Sequence, residues 1–211
     1  MTPRADWQAW HAPYADPHSA LSRRLRIVQG RVGEWLDANP GPVTVASACA
    51  GDGRDLVEVL AGRPDGHRVR AILIESDPGL AERAAGSARA AGLTGLTVRT
   101  ADAGDPASYA GAVPAHLLLL CGVFGNITDE DVSATIAVLP QLCHAYGTVI
   151  WTRSRRSPDL TPRLRRWFAA SGFAEQSFDA PDDVLFSVGV HQLATDPEPL
   201  TATGRFFTFL T

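Results

Sequence analysis

Lysine is absent from this chain. All 19 of its strongly basic residues are arginine in a length of 211 residues. A P-loop is thereby excluded, because its lysine must reach the nucleotide phosphates. A Schiff base to pyridoxal phosphate or to a carbonyl substrate is excluded for the same reason. Cysteine is scarce: Cys49, Cys121 and Cys143 stand far apart, with no C-x-x-C pair and no His/Cys cluster. Neither a disulfide framework nor a structural zinc site is expected, and no metal is assigned. No apolar stretch approaches the ~18 residues of a membrane span, and no apolar run resembles a secretory leader. We therefore expect a cytoplasmic protein. Its formal charge of −4 argues against general nucleic-acid binding.

The composition fits one globular domain, since 45% of residues are hydrophobic and 20% charged. Residues 1–16 form an aromatic-rich arm. Asp16-Pro17 reads as an N-cap with proline at the first helical position. Leu21, Leu25, Val28, Val32 and Trp35 then lie on one helix face, until Asn39-Pro40-Gly41 stops the helix. Apolar runs next alternate with helical segments. The runs are 43–48, 69–74, 96–100, 116–121 and 147–152, and Thr128-x-x-Asp131 opens one helix like a capping box. Segments 173–178, 185–193 and 205–210 read as strands with no long helix between them. Continuous apolar strands alternating with helices predict a Rossmann-like α/β fold. We expect seven strands, mostly parallel, with an antiparallel edge hairpin, helices on both faces and an N-terminal helical arm. Residues 1–41 form the arm and helix, as a lid or cap, and 42–211 the ligand-binding domain.

In such a sheet ligands bind beyond the carboxyl ends of the strands. The first strand leads into Ser47-Ala48-Cys49-Ala50-Gly51-Asp52-Gly53-Arg54-Asp55, where two glycines allow close backbone approach. Glu75 ends the second strand, 22 residues after Gly53. That spacing suits a carboxylate holding a ribose diol. The third glycine of a dinucleotide-binding loop is missing, because Leu56 stands there. A pyrophosphate at this helix start would meet Asp52 and Asp55, a like-charge conflict. A ligand carrying an ammonium and a sulfonium would be attracted instead.

Four segments carry a family resemblance. VTVASACAGDGRDL, ILIESDP, VRTADAGD and HLLLLCGVFGNI occur in order between residues 43 and 127, and the match extends over roughly residues 42–193. They resemble the successive motifs of class I S-adenosylmethionine-dependent methyltransferases, in particular small bacterial members with a CAGDGRD loop. Two positions depart from the family pattern: Ser47 replaces its usual acidic residue and Cys49 its first glycine. The resemblance implies S-adenosylmethionine as cofactor and S-adenosylhomocysteine as product. It places Cys49, Ala50, Gly51 and Gly53 around the methionine portion, with Asp52 or Asp55 near its amino group. Glu75, with neighbouring Ser76, would hold the ribose. Asp102 would accept from the adenine amino group, Ala103 would offer a backbone N–H, and Cys121 and Gly122 would lie under the sulfonium.

Methyl transfer asks mainly for alignment and exclusion of water. The groups of interest therefore face the acceptor. Trp7, Trp10, His11 and Tyr14 share one helical face. That face packs on the sheet, or it forms a lid that brings Tyr14 or His11 to the substrate. Asn126 follows the fourth strand, near the acceptor or as a turn residue. Arg153, Arg155 and Arg156 follow the fifth strand, where Arg153 is the candidate anchor for an acidic substrate. Arg163, Arg165 and Arg166 follow on the next helix. Gly122-Val123-Phe124-Gly125 stands where nucleobase amine methyltransferases carry Asn-Pro-Pro-Tyr-like motifs. A small-molecule acceptor is expected. RNA- or protein-directed transfer, and cofactor binding without catalysis, are the alternatives.

Overall fold

A computed structural model describes residues 12–201 and 203–210. Seven strands form one sheet: β1 (Val43–Ala48), β2 (Val69–Glu75), β3 (Leu96–Thr100), β4 (Ala115–Leu120), β5 (Cys143–Ser154), β6 (Phe173–Asp179) and β7 (Phe186–Leu193). Their spatial order is β3-β2-β1-β4-β5-β7-β6. All neighbours are parallel except at β7, which runs antiparallel to both β5 and β6. Among the described residues, five α-helices complete the layers: α1 (Ala20–Ala38), α2 (Arg54–Ala61), α3 (Pro78–Ala90), α4 (Asp129–Leu142) and α5 (Thr161–Ala170). The expected fold class, with helices on both faces and an antiparallel hairpin, is the one observed.

The period of two along each strand divides the core. Ala46, Ala48, Leu118, Leu120, Val149 and Trp151 point to the layer containing α4 and α5. Val45, Leu117, Leu119, Ile150 and Val188 point to the layer containing α1, α2 and α3. Trp151 is fully buried, stacks on Phe168 at 5.8 Å and donates from Nε1 to His191 Nδ1 at 3.1 Å. Gly189 lies opposite it in the register, and a Cβ there would come within 2.3 Å of the indole. That position therefore admits only glycine. His191 is a packed core histidine, and burial lowers its pKa to about 4.

Some boundaries differ from the sequence reading. The first helix begins at Ala20, capped by Ser19, whose hydroxyl accepts from Ser22 N at 3.1 Å. Asp16 instead closes a local turn by accepting from His18 N. The α1 face buries Val28, Val32 and Leu36 in the same core as β1, so this helix is packed onto the sheet. Segment 205–210 is not a strand. It is an extended strap that satisfies its backbone without a ladder. Phe206 N donates to Gly104 O, Thr135 Oγ1 donates to Phe206 O, Thr208 N donates to Asp131 Oδ2 and Leu210 N donates to Asn126 O. The helix-capping motif is thus only half made. Thr128 Oγ1 accepts from Asp131 N, while the Asp131 carboxylate serves the strap.

Candidate functional site

Strand order reverses between β1 and β4: the chain leaves β1 toward β2, and β4 toward β5. The two loops diverge there and open a crevice. A cavity of about 350 Å³ occupies it. Its floor is the loop after β1 and the ends of β2 and β4. Its walls are α1 and the C-terminal strap, and Tyr14 stands at its margin.

The loop after β1 is a tight turn with positive φ at Cys49 (54°), Gly51 (60°) and Gly53 (75°). Ala50 N donates to Ile74 O and Gly53 N to Ala50 O, which fixes the turn against β2. Gly53 starts α2, and a Cβ on it would meet Leu73 Cδ2 at 2.9 Å and Ala84 Cβ at 3.2 Å. Its role is close helix–sheet packing, and it does not line the cavity. Cys49 holds a left-handed φ that glycine adopts freely and cysteine does not. Burial pushes its thiol well above the ordinary pKa, helped by the charges of Glu75 and Asp102. Cys121 also lines the cavity, and burial raises its thiol as well. Neither is a thiolate nucleophile at neutral pH.

Glu75 is 6% exposed. Its Oε2 accepts from Gly51 N and its Oε1 from Asp77 N, both at 2.8 Å. Two backbone donors thus lock the carboxylate while leaving acceptor capacity toward the cavity. Ser76 lines the cavity beside it. Asp52 is paired with Arg54, whose Nε donates to Asp52 Oδ1 at 2.8 Å. Asp55 is different. It is 7% exposed, and among the described residues its Oδ1 is buried with no hydrogen-bond partner. Burial, then the nearby Asp52 charge, raises its pKa to about 6 against the opposing backbone N–H bonds of the helix start. Of the two carboxylates that stood open in the sequence, Asp55 is the one with acceptor capacity to offer.

Asp102 lies at the other end. Its Oδ1 accepts from Gly104 N at 2.8 Å, and its Oδ2 from Arg205 Nη2 at 2.6 Å. Burial alone would raise its pKa, but these donors hold it below the ordinary value. Ala103 is buried beneath this end and does not line the cavity. Gly122 N donates to Thr152 Oγ1, and Asn126 Nδ2 donates to Gly122 O at 2.6 Å. Asn126 therefore lines the cavity and also fixes the turn after β4.

Tyr14 reaches the cavity margin from the turn before α1. Its hydroxyl accepts from Arg24 Nη2 at 3.1 Å, and the Arg54 guanidinium lies 4.5 Å from its ring centre. Burial raises its pKa, against the opposing effect of Arg24, so it stays protonated at neutral pH. His11, Trp7 and Trp10 lie outside the described residues.

Arg153 is elsewhere. It lines a second cavity, of about 440 Å³, beyond the β5 end. The other arginines of this stretch divide their roles. Arg155 donates to the carbonyls of Phe186, Pro181 and Val184, and Arg165 is paired with Glu175 at 2.6 Å. Sequence reasoning missed Arg24, Leu25 and Val28 of α1, and Arg205, Thr208, Phe209 and Leu210 of the strap, all of which line the main cavity. No motif marked them, because they reach the crevice through packing alone. No helix among the described residues is long and apolar enough to cross a membrane.

No family model and no curated protein matches this chain. Its fold is similar to that of solved structures. One is magnesium protoporphyrin IX methyltransferase from Synechocystis with bound SAM: TM-score 0.64, 16% identity, covering 88% of this chain and 90% of that one. Another is an RNA methyltransferase from Salinibacter ruber in complex with S-adenosyl-L-homocysteine: TM-score 0.53, 17% identity, covering 84% and 96%. The cyclase SpnF is similar as well: TM-score 0.61, 12% identity, covering 84% of each chain. These likenesses establish the fold, which hosts more than one chemistry.

Proposed function

We propose that the chain is an S-adenosylmethionine-dependent methyltransferase acting on a small-molecule acceptor, with a CAGDGRD cofactor loop. The observation that carries this reading is the Asp55 carboxylate, buried at the start of α2 with its Oδ1 lacking a hydrogen-bond partner among the described residues. A helix start that bound pyrophosphate would offer N–H groups and no such charge. A buried carboxylate with spare acceptor capacity suits an ammonium group. Arg24 lines the same cavity and suits the α-carboxylate of the same amino-acid moiety. Glu75, preset by Gly51 and Asp77, suits the two ribose hydroxyls. The strap and the Asp102–Arg205 pair close the end left for adenine.

The bound cofactor supplies a methyl group on a sulfonium, which needs no further activation as a leaving group. The residues of this chain then have three tasks. The turn Cys121–Asn126, held by Thr152 and by the Asn126 side chain, fixes the floor beside the reacting end. Tyr14, held by Arg24, covers the margin and excludes water. The acceptor is aligned for displacement, and proximity supplies most of the rate.

The test is a thermal-shift and calorimetric titration with S-adenosylmethionine, S-adenosylhomocysteine and NAD. At about 100 times its dissociation constant, a ligand specific to the folded state adds roughly 2.7 kcal/mol and moves the midpoint by several degrees. A shift with both adenosyl sulfur compounds and none with NAD is expected. A shift with NAD alone, or with none of the three, refutes the reading. Binding of the pair with no turnover across an acceptor screen would retain the cofactor and reject catalysis.

A further inference from the structure

We propose that the second cavity, beside Arg153, anchors the methyl acceptor through a carboxylate on that acceptor. The inference rests on the methyltransferase reading and adds a substrate class to it. The cavity adjoins the first across the turn after β4: Asn126 faces the cofactor cavity and Gly125 this one. Gly125 has open space where a Cβ would stand, so no side chain of the turn fills that side of it.

The donors in this cavity are poorly used. Among the described residues Arg153 Nη1 is buried with no hydrogen-bond partner. Its Nη2 lies 3.8 Å from Asp129 Oδ1, and Arg163 Nη1 lies 3.6 Å from Asp129 Oδ2. Both separations exceed a hydrogen bond. Structural arginines in this fold behave otherwise. Arg155, two residues on, donates to three carbonyls, and Arg31 grips Asp179 at 2.7 and 2.9 Å. A buried guanidinium N–H without an acceptor is costly, and a ligand oxyanion would remove that cost. Burial also pushes the Arg153 pKa down, against Asp129 and Asp159, so a bound anion would lessen the cost of its buried charge.

The charge balance selects the anion. Arg153, Arg156 and Arg163 face Asp129 and Asp159, leaving one net positive charge. One carboxylate neutralises it and matches the planar guanidinium fork, whereas a phosphate dianion overshoots. Leu160 and Pro158 supply an apolar wall for the body of the acceptor.

The test uses the full chain saturated with S-adenosylhomocysteine. Arginine side-chain NMR follows titration with benzoate, benzamide and inorganic phosphate. Benzoate is expected to perturb the Arg153 signal saturably. Benzamide should bind at least tenfold more weakly, and Arg153→Gln should weaken benzoate at least tenfold. Arg163→Gln, at a more exposed position, gives a smaller loss and guards against misfolding of the first variant. Cofactor affinity is unchanged in both. A parallel screen scores S-adenosylhomocysteine formation from carboxylic acids and their amides. Turnover should favour the acids, with Arg153→Gln raising KM more than it lowers kcat. Benzoate affinity that survives both variants, or preference for benzamide or phosphate, overturns the proposal. Failure to bind S-adenosylhomocysteine at all overturns the methyltransferase reading separately. In that case the benzoate titration of the free protein still decides whether the anion site exists.

Discussion

Asp55→Asn should make the free protein more stable at neutral pH while weakening its hold on the cofactor. The carboxyl is 7% exposed and its folded pKa is raised from 3.8 to about 6. A carboxyl with a raised folded pKa binds more protons folded than unfolded across that window. Stability therefore falls as pH rises from about 4 to 6 and stays reduced above it. Two pKa units correspond to about 3 kcal/mol, an upper bound on the penalty of ionised Asp55 at pH 7.5. Asparagine keeps the shape and removes the charge. Some of the gain is lost because the helix start favours an anion by up to about 1 kcal/mol. A net gain of roughly 2 kcal/mol should raise the melting midpoint by about 4–8 °C at pH 7.5 for a chain of this size. At pH 4 the carboxyl is already neutral, and the two proteins should melt together. Ligand affinity moves the other way. If only ionised Asp55 holds the ammonium, S-adenosylmethionine binds about tenfold more weakly at pH 5 than at pH 7 in the wild type, because the pKa near 6 lies between. The variant should bind weakly and without that pH dependence. Denaturation at both pH values and calorimetry at pH 5 and 7 measure all four quantities. Equal destabilisation at both pH values, or an unaltered pH profile of binding, would refute the reasoning.

Other perturbations test other parts. Glu75→Ala removes the acceptor for Gly51 N and Asp77 N as well as the proposed ribose contact. It should cost roughly 1–3 kcal/mol of stability by leaving backbone donors unmatched, and lower cofactor affinity at least a hundredfold by calorimetry. Phe206→Ala empties a buried site that packs edge-on against Tyr109 at 5.5 Å. A loss of about 3–5 kcal/mol in chemical denaturation is expected, together with weaker cofactor binding as the strap detaches. Tyr146 is 75% exposed with φ of 60°, so Tyr146→Gly should relieve backbone strain without uncovering core and stabilise by about 0.5–1 kcal/mol.

The strand–helix alternation was legible because each buried strand is continuously apolar, as in Leu117–Leu120, and because caps such as Asp77-Pro78 and Thr128 act within a few residues of the helix they start. The site loops were legible for a related reason: a parallel sheet sends the residue after each strand to one edge. Glu75 and Gly51 could thus be placed from order and spacing, and Asp102 from the family resemblance. Local signals also misled. Asp16-Pro17 has the chemistry of a helix start, yet Ser19 makes the cap. The alternation in 205–210 resembles a strand, yet Asp131, Asn126 and Gly104 take its backbone as a strap.

What the sequence determined by itself was the set of local propensities: which segments bury on both faces, which turns need glycine, and which charges stand at strand ends. What only the tertiary structure decided was how those charges were shared out. Asp52 went to Arg54, Asp102 to Arg205, Arg155 to three carbonyls, and Asp55 and Arg153 each kept a buried atom unmatched among the described residues. Apart from Asp52 and Arg54, which are two residues apart, this pairing depends on distances between segments far apart in the chain. Arg205 and Asp102 are separated by 103 residues and Arg31 and Asp179 by 148. No period or motif encodes such a distance. It is set by how helices and strap settle on the sheet, and that settling also decides which buried charges remain for a ligand.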